Sequence, residues 1–241
     1  MTNLSTVRKR LAEYEGRDVI NGIPRFLFRG QRAIHSSINS TFARIPIDEM
    51  EIGQCYTVYR HAKQICQGLQ GYAIDHIDGL AVLQHYGWPT PLIDLTGTAE
   101  VSVFFALHKA VAGDQAVVYV IDTHKRPEQI IVADHKFLTH SLNDGGLRHR
   151  WLRQDGFAIT TQNWRAAPDA KQFDLLTSSP QMIREVLEFT VSGSDHPEIT
   201  DVLSTEDDPI PKHLQILLGM FCEHQFGGSL APKLSNIIRD M

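Results

Sequence analysis

Between Leu83 and Thr96 the chain gathers side chains able to do chemistry: an amide (Gln84), an imidazole (His85), a phenol (Tyr86), an indole (Trp88), a carboxylate (Asp94) and two hydroxyls (Thr90, Thr96). Gly87, Pro89 and Pro91 are interspersed among them. A turn needs only glycine or proline for its backbone angles; this density of hydrogen-bonding groups suits a site. His85 brings an imidazole, a group whose ordinary pKa lies near neutrality and suits acid–base work or phosphate binding, and is equally at home as a hydrogen-bonded helix-end residue. Tyr86 and Trp88 favour packing over stacking on a nicotinamide or base. Asp94, between Ile93 and Leu95 on a short strand, projects opposite to both and alongside Leu92 and Thr96. If enclosed, its carboxylate needs partners or its pKa rises. The bland alternative is a cap on the helix beginning near Ala99.

A second candidate stands upstream. Pro24-Arg25-Phe26-Leu27-Phe28-Arg29-Gly30 alternates with period two, so Phe26 and Phe28 share one strand face and Arg25, Leu27 and Arg29 the other. Arg29 at the strand end offers a planar fork suited to phosphate or ribose oxygens, against the plainer role of a salt-bridging surface arginine. Gly30 permits either a turn or close approach of a ligand to the backbone.

The elements that must hold these groups follow from periodicity. A short helix capped by Ser5 or Thr6 runs to about Tyr14, with Leu4, Val7 and Leu11 on one face. Residues 51–73 are helical in pattern, and Asp75 or Asp78 caps a further helix through Leu83. Residues 99–107 form a buried helix, and the apolar run 115–122 a buried strand. Strands are also predicted at 130–133, 156–160 and 185–191, with Val186, Leu187 and Phe189 in the core. Pro211 and Pro232 each open a helix. Residues 192–211, with Glu206-Asp207-Asp208, are the one mobile candidate. Strands spread along the chain without βαβ alternation, and with no Gly-rich loop after any of them, predict an α+β fold. Its sheet would be mixed or antiparallel, possibly split, and flanked by helices. The expected division is an N-terminal helix (1–21), a central domain (22–165), and a C-terminal strand and helices (166–241) that complete it.

Bulk properties narrow the function classes. With 241 residues, 42% hydrophobic, and a net charge of −5, the chain can bury one sizeable core. It carries no strong nucleic-acid signal; Arg148, Arg150 and Arg153 are the nearest approach to a basic patch. Cys55, Cys66 and Cys222 lack paired spacing, which argues for a reducing compartment. His108, His124, His135, His140 and His149 share no ligand spacing, so no metal is expected. The basic N-terminus has no apolar core after it and no long apolar run follows; the expectation is a cytoplasmic protein with no membrane partner.

Phe28-Arg29-Gly30-Gln31, then Gln84-His85-Tyr86-Gly87-Trp88-Pro89-Thr90-Pro91-Leu92-Ile93-Asp94-Leu95-Thr96, then Ala99 and Phe104-Phe105-Ala106, resemble the FRG domain family in order and content. Arg153-Gln154-Asp155-Gly156-Phe157 is similar to a later element of that family. Pro91 stands where the family pattern has a basic residue, and Leu95 where it has tryptophan. Such domains occur in bacteria, mobile elements and phage. More weakly, the order of motifs resembles the ADP-ribosyltransferases. That resemblance implies NAD as substrate, with Arg29 and Gly30 at its nicotinamide side and Gln31, Tyr86, Thr90 and Thr96 lining the cofactor. Asp94, Gln154 and His85 would be the catalytic candidates. At the third motif position Gln154 replaces the usual glutamate, and an amide adds no negative charge opposite a cationic transition state. Glu188 and Glu223 are the remaining carboxylate candidates.

Two readings follow from the resemblance. One is an NAD-using transferase or glycohydrolase with an unidentified macromolecular acceptor, acting as a toxin, defence effector or modifier. The alternative is a non-catalytic nucleotide- or partner-binding module. A charged carboxylate in the pocket separates them; if only Gln154 points in, the binding module gains ground. A phosphodiesterase ranks last, because it needs two carboxylates around a metal and Asp94 has no evident mate.

Overall fold

The computed structural model describes residues 2–20, 23–46, 48–67, 76–125, 130–132, 156–160, 174–199 and 210–240. Gln154, with the rest of the Arg153–Phe157 motif before Gly156, falls outside them.

The first helix, α1 (Leu4–Ala12), is capped by Asn3 in place of the expected Ser5 or Thr6. A cap residue must itself be extended, and Asn3 (φ −98°, ψ 163°) accepts from the Thr6 amide at 2.9 Å. Leu4, Val7 and Leu11 are buried. Strands β1 (Val19–Ile20) and β2 (Ile23–Pro24) form a small antiparallel pair. Then come β3 (Phe26–Gln31), α2 (Thr41–Arg44), α3 (Glu49–Gln67), α4 (His76–His85), β4 (Ile93–Thr96), α5 (Ala99–Leu107) and β5 (Gln115–Asp122). β6 (Ile130–Val132), β7 (Gly156–Ile159), α6 (Leu175–Ser178), β8 (Ile183–Thr190), α7 (Ile210–Phe226) and α8 (Pro232–Asp240) complete the described chain.

Six strands form one sheet in the order β6-β7-β4-β3-β5-β8, every neighbouring pair antiparallel. This is the predicted α+β class, with the sheet antiparallel throughout its described pairs. Strand periodicity divides its two faces. On one, Phe26, Phe28, Val118, Val120 and Phe189 pack with α1 and α5 residues. Beside them Ala158 and Leu92 join a cluster built on α3, α4, α7 and α8. On the other face Leu27, Leu95, Tyr119, Ile121 and Ile159 are roofed by Ile38, Leu175 and Met182.

Position 30 shows how tightly the helical layer lies on β3. A Cβ on Gly30 would stand 1.7 Å from the Ser102 carbonyl oxygen of α5. Gly79 plays the same part between α4 and α3, where a Cβ would lie 2.9 Å from the Ala62 carbonyl carbon. Val186 departs from the sequence expectation, being 44% exposed. β8 is the edge strand, and alternation puts Val186 on its open side, whereas Phe189 faces the core.

Candidate functional site

β3 and β4 pair at a single register position, Phe28 with Thr96. In the direction of Gly30 and Asp94 no further ladder pair forms, and the Arg29 side chain takes its place. Its Nη1 donates to the Asp94 carbonyl oxygen at 2.6 Å. The Arg29 Nε is buried and has no hydrogen-bond partner. Burial pushes the guanidinium pKa down to about 10; the nearby Asp94 carboxylate works against that shift and the charge of Arg44 adds to it. Gln31, next on the same face of β3, has a buried Oε1 that is likewise unpartnered. A guanidinium donor and an amide acceptor thus lie side by side without the bonds that buried polar atoms require.

Asp94 sits on the other face of its strand from Ile93 and Leu95, as alternation predicts, and its side chain is exposed. Exposure does not leave it loose. Gln84, at the C-terminal end of α4, donates its amide to Asp94 Oδ1, and Thr90 donates its hydroxyl to Gln84 Oε1. The Thr90 oxygen in turn accepts the Leu92 amide at 3.3 Å. Because the hydroxyl donates to Oε1, the Gln84 amide is oriented with its NH2 toward the carboxylate. The Thr90 carbonyl accepts from the Phe42 amide at 3.2 Å, tying α2 to the same turn. The Tyr59 hydroxyl holds the Pro89 carbonyl at 2.5 Å. The dense motif is therefore a braced connection from α4 to β4 that presents Asp94.

Asp94 does not cap α5. The Ala99 amide is satisfied instead by Glu15 Oε1 at 2.9 Å, from the turn that follows α1. Several other sequence candidates are enclosed by the fold. Tyr86 (4% exposed) packs in the helical cluster, Thr90 is fully buried within the brace, and Thr96 (4%) accepts from the Thr98 amide at 3.1 Å. Gly30 is accounted for by its contact with α5. His85 ends α4, and its side chain lies outside the described set.

The face that carries Arg29 and Gln31 also carries an acidic group. Register runs from Gln31 through Val117 to Glu188, and from Arg29 through Tyr119 to Val186. The carboxylates of Glu188 and Asp174 and the Arg29 cation all act on Tyr119, whose phenol pKa is raised first of all by burial. Glu188 is exposed on β8, whereas Glu223 is on α7, which packs against α3 away from this face. The Asp174 carboxylate is spent on the Ile38 and Leu176 amides, at 2.7 and 3.1 Å. Glu188 was only a reserve candidate in sequence; its relation to Arg29 depends on the order β3-β5-β8, which no local pattern reveals.

Among the described residues no group of three or more His, Cys, Asp or Glu could hold a metal, and no helix is long and apolar enough to cross a membrane. The FRG domain model matches residues 24–115, spanning β3 through the start of β5. The chain thus carries an FRG domain, and Arg29, Gln31, Gln84, Thr90 and Asp94 all lie within it. No curated protein and no solved structure matches.

Proposed function

We propose that the protein binds NAD or a related nucleotide where β3 and β4 part, and acts on it in the manner of an ADP-ribosyltransferase. The observation that carries this reading is the pair of unsatisfied buried atoms, Arg29 Nε–H and Gln31 Oε1. A carboxamide supplies both complements at once, an oxygen for the guanidinium and an NH2 for the amide oxygen. In the reaction the bond from ribose C1′ to the nicotinamide nitrogen breaks and its electron pair leaves on nicotinamide. An acceptor oxygen or nitrogen, or water, bonds to C1′ and gives up a proton. Positive charge develops on the ribose, and Glu188, on the same sheet face as Gln31, is the carboxylate available to oppose it. A role as bacterial or phage toxin, defence effector or modifier of a macromolecule fits such chemistry.

The brace on Asp94 favours a second reading, a nucleotide-binding module without turnover, because it engages that carboxylate in the fold. Nicotinamide release and NAD binding by the purified protein separate the two. The enzyme reading expects Arg29→Ala to abolish both, and Glu188→Gln to cut release at least a hundredfold with binding kept. Binding without release in the parent protein establishes the module. Absence of both sinks the NAD reading.

A further inference from the structure

We infer that Tyr119 is a further contact residue for the ligand, its hydroxyl donating to the sugar hydroxyl beside the carbon from which nicotinamide departs, so that the site selects a ribonucleotide over its deoxy counterpart. The inference rests on the NAD reading above and deepens it. Ladder register places the residue. Tyr119 of β5 pairs directly with Arg29 of β3 on one side and with Val186 of β8 on the other, so the three side chains form one row on the same sheet face. Gln31, Val117 and Glu188 form the next row. Tyr119 therefore stands midway between the Arg29–Gln31 pair and Glu188, with each flanking strand about 5 Å away. The row opens to solvent at Val186, 44% exposed on the edge strand.

Tyr119 is 2% exposed, and its ring belongs to the apolar cluster roofed by Ile38, Leu175 and Met182. Among the described residues no hydrogen bond engages its hydroxyl, whereas Tyr14 donates to Glu185 at 2.7 Å and Tyr59 to the Pro89 carbonyl at 2.5 Å. A phenol enclosed in this way ordinarily finds a partner. Burial first, then the Glu188 carboxylate, raises its pKa, so at neutral pH it keeps its proton and can donate. The ligand offers few acceptors there. The carboxamide oxygen is taken by Arg29 in the reading above, and the substituted ring nitrogen has no lone pair. The sugar ring oxygen loses electron density as positive charge develops beside it, which leaves the hydroxyl on the adjacent sugar carbon. Because the phenol makes no bond within the described fold, its removal takes no hydrogen bond from the free protein and one from the complex.

The test is calorimetric titration of the full chain, parent and Tyr119→Phe, with NAD and with its analogue lacking the 2′-hydroxyl of the nicotinamide ribose. Thermal denaturation of both proteins runs alongside. The parent is expected to bind NAD at least tenfold more tightly than the deoxy analogue. Tyr119→Phe should bind NAD about tenfold more weakly and the analogue as before, so that the preference disappears, with a melting midpoint no lower than the parent's. NAD binding that Tyr119→Phe leaves unchanged overturns the inference and leaves the nucleotide site standing. A lowered midpoint with equal losses for both ligands also overturns it, by assigning the hydroxyl to the fold. A parent protein that binds both ligands equally well overturns the sugar contact alone. One that binds neither removes the contact and the NAD reading together.

Discussion

At the scale of single residues, Arg29 and Gly30 are neighbours that answer to different demands. Alternation sends the arginine to one face of β3 and leaves position 30 facing α5, so two adjacent residues of one motif meet different surroundings. The guanidinium stands at the parting of two strands, its Nε unsatisfied. Glycine is required because the Ser102 carbonyl would lie 1.7 Å from any Cβ, and backbone cannot swing aside as a flexible side chain can. Gly30→Ala is therefore expected to lower stability by about 3 kcal/mol, the upper range for overpacking, read as a shift of the urea midpoint. A variant that keeps its stability but loses nucleotide binding would instead make Gly30 a ligand contact.

Element by element, the parts that local pattern governs were legible in the sequence. The alternation of Phe26 and Phe28 against Leu27 and Arg29 describes β3, and the apolar run at 115–122 coincides with β5. The dense polar motif pointed to a site, but the partner of each side chain could not be read from spacing. Thr90 and Gln84 come together only when α4 turns back into β4, and Glu15 reaches the Ala99 amide across most of the FRG segment. Val186 was misjudged for a related reason: β propensity cannot distinguish an edge strand from a central one. The brace has a measurable consequence. Thr90→Val removes the donor to Gln84 Oε1 and the acceptor for the Leu92 amide in a fully buried place. Stability should fall by about 2 kcal/mol, whereas Thr90→Ser, which keeps the hydroxyl, should recover most of it. Equal losses in the two variants would assign the cost to packing of the methyl group.

For the molecule as a whole, the helical cluster that backs the site encloses its nucleophiles instead of presenting them. The thiols of Cys55, Cys66 and Cys222 are all buried in the cluster of α3, α4, α7 and α8. Burial pushes the pKa of Cys66 and of Cys222 up from 9.0 to about 12. The same cause raises the Tyr59 phenol above its ordinary 10.0. These groups are neutral in native and unfolded chains alike below pH 9, so they cost nothing there. Between pH 9 and about 12 the unfolded chain releases thiol protons that the native protein retains, and stability falls as pH rises. The slope approaches about 1.4 kcal/mol per pH unit for each fully buried thiol. The urea midpoint should therefore drop between pH 8 and pH 10.5, and Cys222→Ala should flatten that dependence. A thiol-reactive chromogen should label the native protein at pH 8 only as fast as it opens. Immediate labelling of Cys66 or Cys222, or a midpoint indifferent to pH, would mean that the helical layer admits solvent, and the rigid backing it gives to Gln84 and Asp94 would then be lost as well.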